Sequence, residues 1–237
     1  LWPDGKSQLL KEVPVNQALM IAYGNATEVP QKKEAPNEKL FQTLTDERHT
    51  VRHLHIENTY DDFIKEILLP HATSRLGPSV GVGDLNGDGK EDFVVGAASQ
   101  NTAAVYFQTN TGFQKADTQV FLPDSGSEDI GIHVFDAEND GDNDIYIASG
   151  GNEFLPNSSA LQDRLYLNDG DGNFTKSNGS LPAMLSSSSR VQSHDFDKDG
   201  DLDLFVGGRL IPGNYPAPAN SYLLENVSTK QTVKFVD

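Results

Sequence analysis

Oxygen-bearing side chains recur at alternate positions three times in this 237-residue chain. The first set is Asp84, Asn86, Asp88 and Asp92. The second is Asp136, Glu138, Asp140 and Asp144, and the third Asp195, Asp197, Asp199 and Asp203. A glycine stands at the sixth position of each loop (Gly89, Gly141, Gly200), where a sharp turn needs positive φ. The seventh position, held by Lys90, Asp142 and Asp201, can offer a backbone carbonyl. Calcium accepts several oxygens from carboxylates, amides and carbonyls in a flexible shell. These residues are therefore candidate Ca2+ ligands at about three sites, and calcium is expected to staple loops whose carboxylates would otherwise repel. A glycosidase-type carboxylate pair is needed once, so the repetition favours ligation over catalysis.

The elements around the loops narrow the reading. An EF-hand requires a bidentate Glu at the twelfth position and flanking helices. Here the twelfth positions are Val95, Ile147 and Val206, and each loop runs into an apolar string: Phe93-Val94-Val95, Ile145-Tyr146-Ile147, Leu204-Phe205-Val206. Such strings are buried strands by composition and length. Each loop then joins two strands, and the ninth-position Asp closes the shell.

Composition bounds the rest. Hydrophobic residues make up 36% of the chain, enough for a core. A net charge of −17 argues against nucleic acid and anionic membranes, which need basic surfaces. No stretch approaches the ~18 apolar residues that cross a bilayer. No signal-like segment follows Leu1, and there is no cysteine, so disulfides are excluded. The chain reads as a mature product or an excised piece, and the lack of cysteine suits a bacterial exported protein as well as a cytosolic one.

In order, residues 1–23 read as strand and turn, with turn chemistry at Pro3-Asp4-Gly5. Residues 24–39 read as a linker, and 40–76 as a lead-in segment or partial blade, with strand-like alternation from Val51 to Ile56 and a short helix or irregular segment from Tyr60 to Leu69. From residue 77 the chain repeats: entering strand, acidic loop, buried strand, connection, hairpin. The hairpins lie at Val105–Phe113 and Leu165–Phe174, and a third opens at Tyr222. Four short strands per repeat make a propeller blade, with blades at about 77–127, 128–187 and 188–237. The expected fold is all-β: a partial or small β-propeller of four-stranded antiparallel blades, since three blades do not easily close a ring.

The loops with their following strands resemble FG-GAP or VCBS repeats, the blades of integrin α-type propellers. A closer similarity is to bacterial relatives of cartilage acidic protein, carried by His55-Ile56-Glu57-Asn58, Asp62-Phe63, Leu68-Leu69-Pro70, Leu76-Gly77-Pro78, residues 163–168 and residues 212–216. Residues 2–23 are similar to the tail of an ASPIC/UnbV module. The resemblance implies calcium in the blade loops and an extracellular, cell-surface or periplasmic setting. It implies no reaction. Glu138 departs from the usual Asp or Asn at its position, which leaves the second site looser.

Two long connections, 150–162 and 207–220, lie at the end opposite the acidic loops. They carry Asn152, Glu153, Arg209 and Tyr215, candidate contacts for a protein or glycan, since long loops on rigid scaffolds favour recognition. His53 and His55 share a strand face without a third zinc ligand nearby, and His133 and His194 belong to entering strands. No nucleophile elbow, phosphate loop or zinc helix is present, so no enzyme activity is expected. The function expected is a calcium-stabilised extracellular binding or adhesion module; the alternative is a non-catalytic accessory portion of a larger exported enzyme.

Overall fold

A computed structural model describes residues 2–4, 6–16, 18–27, 51–117, 119–229 and 232–237. The chain divides into two compact units, Leu1–Thr43 and Leu44–Asp237.

In the first unit, Trp2 N donates to Lys6 O at 2.8 Å across the turn expected at Pro3 and Asp4. Ser7 and Thr27 form an isolated antiparallel bridge. The Trp2 and Tyr23 rings meet edge to face at 5.3 Å, and the Tyr23 hydroxyl donates to Asp4. The apolar runs from Leu9 to Tyr23 form no ladder among the described residues and stay largely exposed, Met20 at 97%. Most of the expected linker, from residue 28 on, lies outside the described residues.

Among the described residues the second unit contains three four-stranded antiparallel sheets. The first is β1 (Val80–Gly83), β2 (Asp92–Val95), β3 (Ala104–Thr109) and β4 (Gly112–Lys115). The second is β5 (Asp129–Phe135), β6 (Asp144–Ser149), β7 (Arg164–Asn168) and β8 (Phe174–Lys176), and the third β9 (Ser187–His194), β10 (Asp203–Leu210), β11 (Tyr222–Asn226) and β12 (Phe235–Val236). Each sheet meanders in sequence order, and the acidic loop joins its first two strands. The third sheet begins at Ser187, and its hairpin closes on Phe235.

Period-two alternation stacks the sheets. On β6, Ile145 and Ile147 face the first sheet, packing with Val94, Val105 and Leu85. Tyr146 and Ala148 face the third, packing with Val191, Leu204, Val206 and Leu224. All four β6 residues are fully buried, and each large side chain removed from water contributes about 1.5–3 kcal/mol before entropy. The entering strands approach closely because glycine lies between them: a Cβ on Gly81 would stand 2.5 Å from Ile132 Cγ2, and one on Gly131 2.7 Å from Ser189 O. Asp129 adds a polar tie, taking Arg164 Nη2 at 2.6 Å and Ala97 N at 2.8 Å.

The outer face of the first sheet, formed by Val95, Ala104 and Tyr106, is covered by Val51 and by His53, whose Nδ1 meets the Tyr106 hydroxyl at 2.9 Å. Residues 51–56 alternate inward and outward as expected but pair with no strand. The segment lies across a sheet face and is held by its side chains. Residues 62–64 make a single 3-10 turn. The outer face of the third sheet leaves Phe205 and Leu223 about half exposed. Among the described residues the sheets do not close into a ring, and no helix is long and apolar enough to cross a membrane.

Candidate metal centres

The three acidic loops share one backbone. The fourth position is left-handed in each, at Gly87 (φ +72°), Asn139 (φ +58°) and Lys198 (φ +68°), and so is the sixth, at Gly89, Gly141 and Gly200. The first-position carboxylate then accepts amides from inside its own loop. Asp84 takes Asn86, Gly87 and Gly89; Asp136 takes Asp140 and Gly141; Asp195 takes Lys198 at 2.7 Å. The third and fifth positions turn back in the same way: Asn86 accepts from Asp88 N, Asp140 from Asp142 N, Asp197 from Asp199 N and Asp199 from Asp201 N.

The ninth-position aspartates, Asp92, Asp144 and Asp203, are buried at 0–1% exposure. One oxygen of each accepts the second-position amide of its own loop, from Leu85, Ala137 or Phe196 at 2.8–3.1 Å. The other accepts the amide of Gln108, Asn168 or Asn226, on the third strand, at 2.7–2.8 Å. Each carboxylate thus fastens its loop to the middle of its sheet. Burial pushes Asp92 up from the ordinary carboxylate range, and Asp144 up to about 7 against the pull of its two amides.

The loops differ in how many oxygens remain free for a cation. In the third loop, oxygens of Asp195, Asp197 and Asp203 lie within 4.8 Å of one another, the only such group of three acids or histidines among the described residues. In the first loop, Lys90 Nζ sits 2.6 Å from Asp88 Oδ2, and three amides occupy Asp84. In the second, Glu138 Oε2 and Asp142 Oδ1 are buried without a partner, as is Asp201 Oδ1 in the third. Desolvation followed by the Asp140 charge raises Glu138 and brings Asp142 to about 6; desolvation followed by Asp199 brings Asp201 to about 6. Orphaned acceptors beside crowded carboxylates fit a hard cation.

The model of the FG-GAP-like repeat matches twice, over residues 84–147 and 136–206. The chain belongs to the FG-GAP-like repeat family. Both matches open on an acidic loop, and together they cover most of the three sheets. No curated protein matches the chain.

A side chain that the sequence reading passed over joins the FG-GAP-like repeats to one another. Asn168 Nδ2 donates at 3.0 Å to Leu85 O, in the first sheet's loop, and at 3.0 Å to Asn143 O, in its own. Asn226 repeats this one sheet later, donating to Ala137 O at 3.0 Å and Leu202 O at 3.1 Å. The first and second loops are thereby each fastened by the sheet that follows. The available signal was an Asn closing the third strand at the same place in both repeats.

The candidate partner contacts separate into two kinds. Asn152 is 3% exposed, and its amide is committed to Asp62 at 2.9 Å, Glu66 at 2.8 Å and the Gly213 amide at 3.2 Å. It positions the connections and lies at the wall of the small cavity beside Arg209 and Tyr215. Glu153 is half-buried, and its Oε2 accepts from Asn152 N. Arg209 and Tyr215 are exposed and line, with Glu66, Leu69 and His71, a cavity of about 160 Å³. His133 donates to or accepts from Ser193 at 2.8 Å between sheets, while His194 is exposed on β9.

Proposed function

We propose that this chain is a calcium-stapled, propeller-type scaffold that binds a protein or glycan partner outside the cell and carries out no catalysis. The observation that supports it most is the third loop, where three carboxylates converge on one small volume in a backbone that the other two loops share. Asp195, Asp197 and Asp203 would hold the ion there, with Asp199 and the Asp201 carbonyl beside them. Asp84, Asn86, Asp88, Lys90 and Asp92 would form the first site, and Asp136, Glu138, Asp140, Asp142 and Asp144 the second. Bound calcium neutralises crowded carboxylate charge and fixes the turn between strands.

The recognition surface in this reading is the opposite end, where Arg209 and Tyr215 border the small cavity. An exposed arginine and tyrosine beside apolar lining suit contacts with a protein chain or the polar edges and flat faces of a sugar. The kinship with bacterial relatives of cartilage acidic protein and with ASPIC/UnbV modules belongs to the same proposal.

Calorimetry with CaCl2 and with chelator tests the staple: calcium should raise the melting temperature, and Asp197→Asn with Asp199→Asn should weaken that response. An unchanged melting temperature in chelator would reject it. A glycan array and a protein pulldown with the calcium-loaded chain test recognition, which Arg209→Ala with Tyr215→Ala should abolish. Retained binding in the double variant would move the recognition surface elsewhere.

A further inference from the structure

At the end of the sheets away from the acidic loops, a second group of oxygens is buried without donors. Glu128, the residue before β5, is 1% exposed, and neither of its carboxylate oxygens has a hydrogen-bond partner. Glu57 Oε2 and Asn58 Oδ1 are likewise buried and unpartnered. Asn58 Nδ2 reaches Glu153 Oε1 at 3.4 Å. Between the carboxylates of Glu128 and Glu153 runs the bare backbone of Gly151, at φ +91°. A Cβ there would stand 2.4 Å from Glu153 Oε2 and 2.9 Å from Glu128 Oε2.

The nearby cations do not answer these oxygens. Arg164 is buried and directs its guanidinium to Asp129 and Ser149. His55 meets only the other oxygen of Glu57, at 2.9 Å. Glu153 lies within hydrogen-bond reach of Glu128, and the charges of Glu57 and Asp129 crowd the same place. An unpaired buried carboxylate is strongly unfavourable, so either a proton or a cation must offset it. Counting acceptors decides between them. One proton, which Glu128 and Glu153 can share, supplies one donor, whereas Glu128 Oε1, Glu128 Oε2 and Asn58 Oδ1 all lack one. Calcium takes six to eight oxygens.

We propose that Glu128, Glu153 and Asn58 form a further calcium site, separate from the acidic loops, with Glu57 adding negative charge beside it. Two carboxylates, one amide oxygen and water make up its donor set. The ion would tie residues 57–58 to the start of β5 and the connection after β6, and so clamp the lead-in segment onto the middle sheet.

Crystals of the full chain soaked in TbCl3 give the direct test, by anomalous difference maps. A peak between Glu128 and Glu153, besides peaks in the loops, is the expected result. Native mass spectrometry in CaCl2 should show Glu128→Gln retaining one ion fewer than the parent, with the loop peaks unchanged. Should Glu128→Gln not fold, Glu153→Gln is read the same way. Filled loops with no peak at Glu128 would overturn this site and leave the loop reading standing. An unchanged ion count in the folded variant would overturn it too, as would a protonated-carboxyl infrared band in calcium-saturated protein that Glu128→Gln removes.

Discussion

Asn168→Ala should cost this protein far more than a single surface amide normally does. The side chain is 8% exposed and serves two carbonyls through Nδ2, one in each of two sheets. Leu85, whose carbonyl it reaches across the sheet boundary, is fully buried. Truncation strands both acceptors, and each buried unsatisfied group costs about 1–3 kcal/mol. The Oδ1 contacts to Asp169 N and Gly172 N lie at a turn where water can replace them. The working magnitude is therefore about 2–5 kcal/mol, a large share of the ~5–15 kcal/mol that holds a typical domain folded. At about 2–4 °C per kcal/mol for a chain of this size, the melting temperature should fall by roughly 4–20 °C. Urea unfolding followed by circular dichroism, run in chelator to exclude metal effects, reads the change. Gln108→Ala is the control. Gln108 occupies the same place in the first sheet, where its backbone amide, like that of Asn168, holds the ninth-position Asp. Should Asn168→Ala stay within about 1 kcal/mol of the parent, or lose no more than Gln108→Ala, the reasoning about stranded carbonyls is wrong.

Other outcomes follow from single residues. Lys198→Gly should stabilise the third loop by about 0.5–1 kcal/mol in thermal melts, because Lys198 sits at φ +68°, where a side chain is strained. Gly131→Ala should destabilise by about 1–3 kcal/mol, its methyl colliding with the Ser189 carbonyl; a neutral result would show that the entering strands can spread. Burial holds Asp163 up to about 7, well above its unfolded value near 3.9. The folded state then binds the extra proton, so this group's contribution is complete below about pH 4 and is lost as pH rises through about 7. Asp163→Asn should flatten that slope in stability measured from pH 4 to 8, and an unaltered slope would assign it to other groups.

The loops and the strands after them were legible because each rests on neighbours in sequence. Glycine at the sixth position, alternating carboxylates and β-branched strings are local facts, and the structure returns them in register. The burial of residues 51–56 was legible too, in their alternation. Their lack of a ladder was not, since alternation reports which side is covered and carries no information on what covers it. The long-range polar contacts were least visible. Asn152 looked like a loop-tip recognition residue because its partners Asp62 and Glu66 lie 90 and 86 positions away. Asn168 and Asn226 read as hairpin residues for the same reason, their acceptors lying 83 and 89 positions earlier.

The direction of the asparagine contacts has a consequence for how the array fails. Asn168 reaches back to Leu85 and Asn226 back to Ala137, so each of these side chains ties a later sheet to the loop of the sheet before it. Loss of β11 would release the second loop's Ala137 carbonyl together with Leu202 O and Asp203 Oδ1 of the third loop. Loss of β4 would free no such acceptor downstream. Phe196, which stands where Leu85 and Ala137 are sealed over, is 44% exposed. Unravelling that begins at the third sheet is thus transmitted inward through these asparagines, whereas loss of the first sheet acts through packing, by uncovering Ile145 and Ile147 of β6.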